Sequence, residues 1–239
     1  MTPDTAALYD VIEGTWPPAR AWSDGPWTLR DGAGSGKRVS AATANGPVTD
    51  ADIAQAEAAM QGIGQRSLFM IREADEALDA LLAARGYDRI DEVVLYVAPI
   101  ESLTDLPIPH VTCFALWEPL AIMAEIWAKG GIGPARMAVM DRAQVKTGIL
   151  TRWNEKPAGV AFAGVHNSVV MVHAVEVLEH QRKLGVAQWM MRAAAIWGTK
   201  QGARHIAVIC VAENKPANAL YTKLGFTRAG TYHYRQSPE

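Results

Sequence analysis

The chain has 239 residues, 49% hydrophobic and 20% charged, so it can bury a core without metals or disulfides. Its formal net charge is −2 and like charges do not cluster in runs, which argues against a nucleic-acid partner or an anionic membrane surface. No apolar run is long enough to span a membrane, and no basic segment followed by an apolar stretch opens the chain, so a cytoplasmic protein is expected.

The first half of the chain predicts helices alternating with short strands. Helices are expected at 4–14, 49–62 and 75–85, where polar caps precede apolar residues at helical spacing. Strands are expected at 27–30, 37–42, 67–71 and 92–97. The glycine-rich segment Asp31–Gly36 is a hairpin turn between the first two strands and not a phosphate-binding loop, because Arg38 stands where that loop needs serine or threonine.

A polar stretch from Pro99 to Pro109 precedes a second series of elements. Strands are expected at 111–117, 146–153, 158–164, 169–178, 205–211 and 230–234. Helices are expected at 119–129, 186–199 and 216–223. Cys113 and Cys210 lie inside apolar runs and are interpreted as buried free thiols.

The two series resemble each other at an offset of 139 residues. Residues 66–89 then lie over 205–228 without a gap, and Ala80, Leu81, Gly86 and Arg89 find identical partners. The matching order of strand, helix and strand favours an internal duplication over chance similarity.

One turn carries the clearest ligand-binding pattern, where a strand ends and a helix begins. It consists of Arg182, Lys183, Leu184, Gly185, Val186 and Ala187. Glycine allows the backbone to approach an anion, and the first N–H groups and the dipole of the helix favour negative charge. Such a turn binds phosphate or pyrophosphate, although a glycine here also serves close packing of helix on strand.

Residues further along the chain give this turn a family context. Asn214 follows a strand, and Tyr221 precedes the pair Gly225-Phe226. With the turn, this spacing resembles the GCN5-related N-acetyltransferase (GNAT) family over residues 110–236. The resemblance implies an α/β (α+β) fold with a mixed, centrally splayed β-sheet flanked by helices, and two GNAT-like domains in tandem.

The resemblance also implies a division of the chain. Residues 110–239 would form the catalytic GNAT domain that binds acetyl-CoA, and 101–109 a linker. Residues 1–100 would form a degenerate GNAT-like domain without catalytic motifs, since Leu82 falls at the place of Tyr221 under the 139-residue offset.

The site residues follow from the same resemblance. Backbone groups of Val177 and Leu178 would meet the pantetheine arm as an added strand would. Residues Lys183–Ala187, with Arg182, would bind the pyrophosphate, and Asn214 would hold the arm by side-chain hydrogen bonds. Tyr221 would be the general acid that protonates the departing thiolate.

The group that takes the proton from the amine is left open. His173 lies four residues before Val177, so both would face the same side of an unbroken strand, and a histidine stands at the matching place in related arylalkylamine acetyltransferases. Glu176 would point to the opposite face unless a bulge re-aims it. A chain of water molecules is the third alternative.

The expected function is N-acetylation of a primary amine of a small molecule, with acetyl-CoA as co-substrate and no metal. A non-catalytic acyl-CoA sensor and an enzyme that acts on a protein or peptide amine are the alternatives. The sequence leaves a homodimer open. Apolar side chains could line an amine pocket or belong to the core: Trp117, Met123, Trp127, Met137 and Met140.

Overall fold

The computed structural model describes residues 2–238. Its α-helices are α1 Thr5–Thr15, α2 Asp50–Gly62, α3 Glu76–Ala84, α4 Ala121–Lys129, α5 Pro134–Arg142, α6 Val186–Lys200 and α7 Lys215–Lys223. Its strands are β1 Arg20–Asp24, β2 Trp27–Asp31, β3 Thr43–Ala44, β4 Leu68–Arg72, β5 Asp88–Pro99, β6 Cys113–Leu116, β7 Val145–Trp153, β8 Lys156–His166, β9 Val169–Val177, β10 His205–Val211 and β11 Thr227–Gln236. Within this range no helix is both long and apolar enough to cross a bilayer.

The chain divides into two compact units whose limits differ from those drawn from the sequence. The larger unit contains 2–17, Leu95–Cys210 and Asn214–Ala229. The smaller unit contains Pro18–Val94, Val211–Glu213 and 230–238. Helix α1 therefore belongs to the larger unit, and β5 and β11 each contribute residues to both units. The assignment of the two halves as separate domains stays a prediction.

The larger unit is built on a mixed sheet. Strand β10 runs parallel to β9, and β9, β8, β7 and β6 follow one another in antiparallel order. Helix α6 packs on one face, where Gly198 abuts Val170. Helix α1 packs on the other face, where Thr15 abuts Gly164. This mixed sheet flanked by helices agrees with the predicted fold class.

The segment predicted as a linker is packed rather than free in its first part. A short 3₁₀ helix spans Ile100–Leu103, and the backbone N–H of Ile100 donates to the carbonyl of Arg204 at 3.0 Å. Leu103 is fully buried, and Asp105 pairs with Arg192 of α6. The apolar residues at 100 and 103 anchor this stretch to the larger unit, which composition alone did not indicate.

The smaller unit contains a separate antiparallel sheet of β1, β2 and β3, and strand β4 pairs antiparallel with the end of β11. Its buried core includes Trp27, Ile53 and Phe69. The hairpin predicted between 27–30 and 37–42 is wrong, because β2 pairs with β1 and β3 instead. Lys37–Val39 forms a 3₁₀ helix, and the N–H groups of the next residues bond back to Lys37.

The elements that follow the strands of the two series match the sequence repeat. The offset of 139 residues carries α3, Glu76–Ala84, onto α7, Lys215–Lys223, end to end. It also carries the start of β5 onto the start of β11. This agreement supports the internal duplication more strongly than the four identities do.

Candidate active site

The central sheet of the larger unit opens between two parallel strands. Residues 169–172 of β9 pair in register with 205–208 of β10. The register ends there, although β9 continues to Val177 and β10 to Val211. The strands therefore separate toward their carboxyl ends, as expected for a centrally splayed sheet. The carboxyl ends of parallel strands are where open α/β sheets bind ligands.

Strand β9 carries a bulge beside this opening. His173 lies opposite Phe162 of β8, whereas Glu176 lies opposite Val160, so β9 has one residue more than its partner between these pairs. Ala174 within the bulge has a φ of 51°, in the left-handed region. The extra residue places His173 and Glu176 on the same face of the sheet and Val177 on the other. The expectation that His173 and Val177 share a face is therefore wrong.

His173 is buried between α1 and the sheet. Its Nε2 lies 2.8 Å from the Oγ1 of Thr15, and the Thr15 hydroxyl donates to the carbonyl of Val11 at 2.6 Å. Because that hydroxyl has a single proton, Nε2 of His173 carries a proton and donates to Thr15. The imidazole also packs against the rings of Trp16 and Phe162, with centroids 5.1 and 6.2 Å away.

Glu176 is half-buried on the same face, at the end of α4. Burial raises the pKa of its carboxyl, and the positive charge of Arg182 partly opposes this increase. The side chain lies directly over Gly130, the residue that follows α4. The indole Nε1–H of Trp127 donates to the carbonyl of Ala174 at 2.8 Å, so the end of α4 contacts the bulge itself.

The predicted anion-binding turn has the expected backbone. A 3₁₀ helix spans Glu179–Gln181, and Lys183 and Gly185 both have positive φ, 64° and 83°. Gly185 is the N-cap of α6, so the first N–H groups of that helix point out of its end beside the turn. The Nε of Arg182 donates to the carbonyl of Val177 at 3.2 Å and ties the turn to β9.

Val177 and Leu178 differ in what their backbone groups can bind. The N–H of Leu178 donates to Ala158 on β8 at 2.9 Å, and its carbonyl accepts from Gln181 at 2.8 Å. Because N–H groups alternate in direction along a strand, that of Val177 points away from β8, toward the opening. Of the two, Val177 is therefore the residue whose N–H faces the splay.

Helix α7 brings a second group of polar side chains to the end of β10. Asn214 caps the helix, since its Oδ1 accepts from the N–H of Ala217 at 3.2 Å. Asn218 accepts from the hydroxyl of Tyr96 at 2.8 Å and lies 3.7 Å from the Sγ of Cys210. Burial raises the pKa of Cys210 to about 11. The sequence patterns did not indicate Asn218 or Tyr96.

Tyr221 lies in the same group and is only 4% exposed. Its ring packs against Tyr96 and Phe226, with centroids 5.7 and 5.8 Å away. Burial, with a smaller contribution from Cys210, raises the pKa of its hydroxyl far above the ordinary value of tyrosine. The phenol is therefore fully protonated at neutral pH.

Several residues that sequence reasoning offered for an amine pocket belong to the core. Met123, Trp127 and Met140 are fully buried under the sheet. Trp117 and Met137 are half-buried, and the ring of Trp117 meets Phe162 edge-on with centroids 5.7 Å apart. Cys113 is only partly buried, at the edge strand β6, in contrast to the expectation.

Comparisons with known proteins agree with this geometry. The profile of the acetyltransferase (GNAT) family matches residues 120–226. The uncharacterized N-acetyltransferase YobR of Bacillus subtilis (strain 168) is 25% identical over 242 residues, covering 97% of this chain and 98% of YobR.

Two solved structures share the fold over nearly the whole chain. A GCN5-related N-acetyltransferase from Kribbella flavida aligns with a TM-score of 0.69 and 19% identity, covering 98% of this chain and 95% of that one. A tandem GNAT protein from the clavulanic acid biosynthesis pathway aligns with a TM-score of 0.59 and 14% identity, covering 98% and 89%. Residues 120–226 therefore form a domain of the acetyltransferase (GNAT) family.

Proposed function

We propose that this protein transfers the acetyl group of acetyl-CoA to a primary amine of a small molecule by direct attack. The proposal depends on one observation, which is that two structural features lie together at the carboxyl ends of β9 and β10. The end of β9 leads into the anion-binding turn before α6, and the end of β10 leads into α7 with Tyr221. Between the two strands the sheet is open.

The residues at these carboxyl ends suit the binding of coenzyme A. The turn from Lys183 to Ala187 offers a left-handed glycine and helix N-terminal N–H groups, which suit a pyrophosphate. The separated strands leave the Val177 N–H as a donor for an extended pantetheine arm. Asn214 is expected to contribute chiefly through its cap of α7, which fixes the start of that helix. Acetyl-CoA would supply the thioester that the amine attacks.

Tyr221 and Glu176 divide the proton transfers in this proposal. Tyr221 keeps its proton at neutral pH because burial raises its pKa, so it is available as the general acid toward the thiolate. Glu176 lies on the face opposite α6, where its raised pKa brings a carboxylate closer to the range of a useful general base. The bulge supports this choice because it re-aims the side chain.

His173 is assigned a supporting role instead. Its Nε2 is occupied by Thr15, and its ring is enclosed by Trp16 and Phe162. A histidine held in this way orders the start of the bulge and the packing of α1 on the sheet. His173→Gln would therefore reduce stability more than it changes the pH dependence of the rate.

The helices that pack beside Glu176 favour a small acceptor. Helices α1 and α4 both pack on the face that carries Glu176, through Thr15 and Gly130. Two helices on this face leave less room for an extended peptide than for a compact amine. An enzyme acting on a protein or peptide amine is the alternative, and a homodimer is compatible with either.

The smaller unit is proposed to lack chemistry of its own. Thr49 and Asp52 form a reciprocal capping box at the N-terminus of α2, and Asp50 adds a second carboxylate in the first turn. These groups occupy and neutralise the helix end that a pyrophosphate would need. Leu82, at the place of Tyr221 under the repeat, is fully buried and has no proton to donate.

The direct test incubates purified protein and acetyl-CoA with a panel of amines, amino acids and aminoglycosides, and detects free thiol. Thiol release with a subset of amines, strongly reduced in Tyr221→Phe, would support both the activity and the general acid. CoA binding without release by any amine would favour a non-catalytic acyl-CoA sensor. Absence of CoA binding would contradict both functions.

A further inference from the structure

The end of helix α4 contacts the bulge of β9 at two places. The buried indole of Trp127 donates to the carbonyl of Ala174, the residue with positive φ in the bulge, at 2.8 Å. Three residues later, Gly130 lies under the carboxyl of Glu176. A Cβ at position 130 would lie 2.3 Å from the Cδ of Glu176 and 2.4 Å from its Oε1.

The glycine at 130 is required by space and not by backbone conformation. Its φ is −84°, which any residue adopts. No real Cβ approaches another atom as closely as the distance to Glu176 would demand, so a side chain here displaces the carboxyl. The atoms it meets are the far end of a flexible side chain. Glu176 can therefore turn away without disturbing the fold around it.

We propose that Trp127 and Gly130 are positioning residues that hold the bulge of β9 and seat the carboxyl of Glu176 for the acceptor amine. Trp127 fixes the backbone of the bulge, and Gly130 leaves the space into which the carboxyl fits. This inference rests on the proposed role of Glu176 as general base. The end of helix α4 and the glycine that follows it thus set the position of a proton-accepting group on β9.

Gly133 provides a matched control in the same loop. Its φ is −90° and a Cβ there would meet nothing within 4 Å, so Gly133→Ala adds the same methyl group without a clash. For Gly130→Ala we expect kcat/KM to fall by about 10- to 100-fold, because small displacements of a reacting group are costly. Gly133→Ala should retain the rate of the original protein.

Two measurements distinguish a displaced Glu176 carboxyl from a general loss of stability. The acid limb of the pH–rate profile should shift in Gly130→Ala and should stay in place in Gly133→Ala. In the protein without substrates, a carbon-13 NMR titration should show the pKa of Glu176 lower in Gly130→Ala, since the displaced carboxyl gains solvent. Trp127→Phe removes the donor to Ala174 and leaves a small cavity, and it should shift the acid limb in the same direction as Gly130→Ala.

The double variant decides whether Gly130 acts through Glu176. Adding Gly130→Ala to Glu176→Gln should cost no further activity, because the group that it displaces no longer accepts a proton. If Glu176→Gln lowers the rate while Gly130→Ala behaves like Gly133→Ala, the positioning role of Gly130 is refuted and Glu176 is retained as the general base. If Glu176→Gln keeps the full rate and the original pH–rate profile, Glu176 is not the general base, and the inference is refuted as well. Should Gly130→Ala fail to fold, Trp127→Phe supplies the same comparison.

Discussion

Replacing Gly185 with alanine tests the anion-binding turn with an internal control. Gly185 has a φ of 83°, and a Cβ built on it would meet nothing within 4 Å. Gly202, two residues after the end of α6, has a φ of 84° and is equally open. The two substitutions therefore impose the same backbone penalty at opposite ends of one helix, and only one of them lies in the turn.

The size of the effect can be worked out from these dihedral angles. An alanine held in the left-handed region costs about 1 kcal/mol, so both variants should unfold at similarly lowered temperatures. At Gly185 the strain can also be relieved by a change in the turn. If that change weakens CoA binding tenfold, a CoA concentration near 100 times the original Kd would stabilise the protein by about 1.4 instead of about 2.7 kcal/mol.

Thermal unfolding with and without CoA, supported by calorimetric titration, measures both quantities. We expect equal losses of stability without CoA, and a reduced CoA-induced shift in Gly185→Ala only. A CoA affinity in Gly185→Ala equal to that of the original protein would refute the assignment of this turn to the pyrophosphate. If Gly202→Ala also lowers the affinity for CoA, that affinity depends on strain at either end of α6 and not on the turn alone.

Three further predictions follow from individual contacts. Tyr221→Phe should lower kcat by about 100-fold or more while CoA affinity, measured by titration, stays unchanged, and an unaltered kcat would remove Tyr221 as the general acid. Asp79 is held by Arg235 and His233, which lower its pKa from 3.8 to about 2. These contacts contribute about 2 kcal/mol to the free energy of unfolding above pH 3.8, and this contribution is lost as the pH falls toward about 2. In urea unfolding, Asp79→Asn should therefore lose less stability over that pH interval than the original protein. Leu103→Ala should cost about 2–5 kcal/mol in denaturant unfolding, whereas a value near zero would mean that residues 100–103 are not part of the core.

The sequence predicted those parts of the site that depend on local pattern. The turn from Arg182 to Ala187 and the position of Tyr221 on a helix both follow from residue types at fixed spacing, whereas the cap that Asn214 provides for α7 was not predicted. The strands on either side were predicted from apolar runs, and their parallel pairing was implied by the family resemblance. The turn, the helix and the strands were predictable because each is determined within about a dozen residues of chain.

The remaining features depend on contacts between distant segments. Burial of His173 against Thr15 joins residues 158 positions apart, and the Tyr96–Asn218 bond joins residues 122 apart. Neither pair has a local sequence signal. The segment 37–42 was predicted as a strand, but Lys37–Val39 forms a 3₁₀ helix. Strand β2 pairs instead with β1 and β3, neither of which the sequence indicated.

The bulge in β9 shows how one such feature changes the chemistry inferred from the site. Alternation along an unbroken strand puts His173 with Val177 and sends Glu176 to the other face. One additional residue at Ala174 reverses that assignment, and the indole of Trp127 bonds to the carbonyl at that residue. In the proposed mechanism, the choice of Glu176 as general base therefore rests on the bulge and its contact with α4, not on the residues of β9 alone. For the same reason, a substitution in α4 is a sharper test of the base than a change of His173.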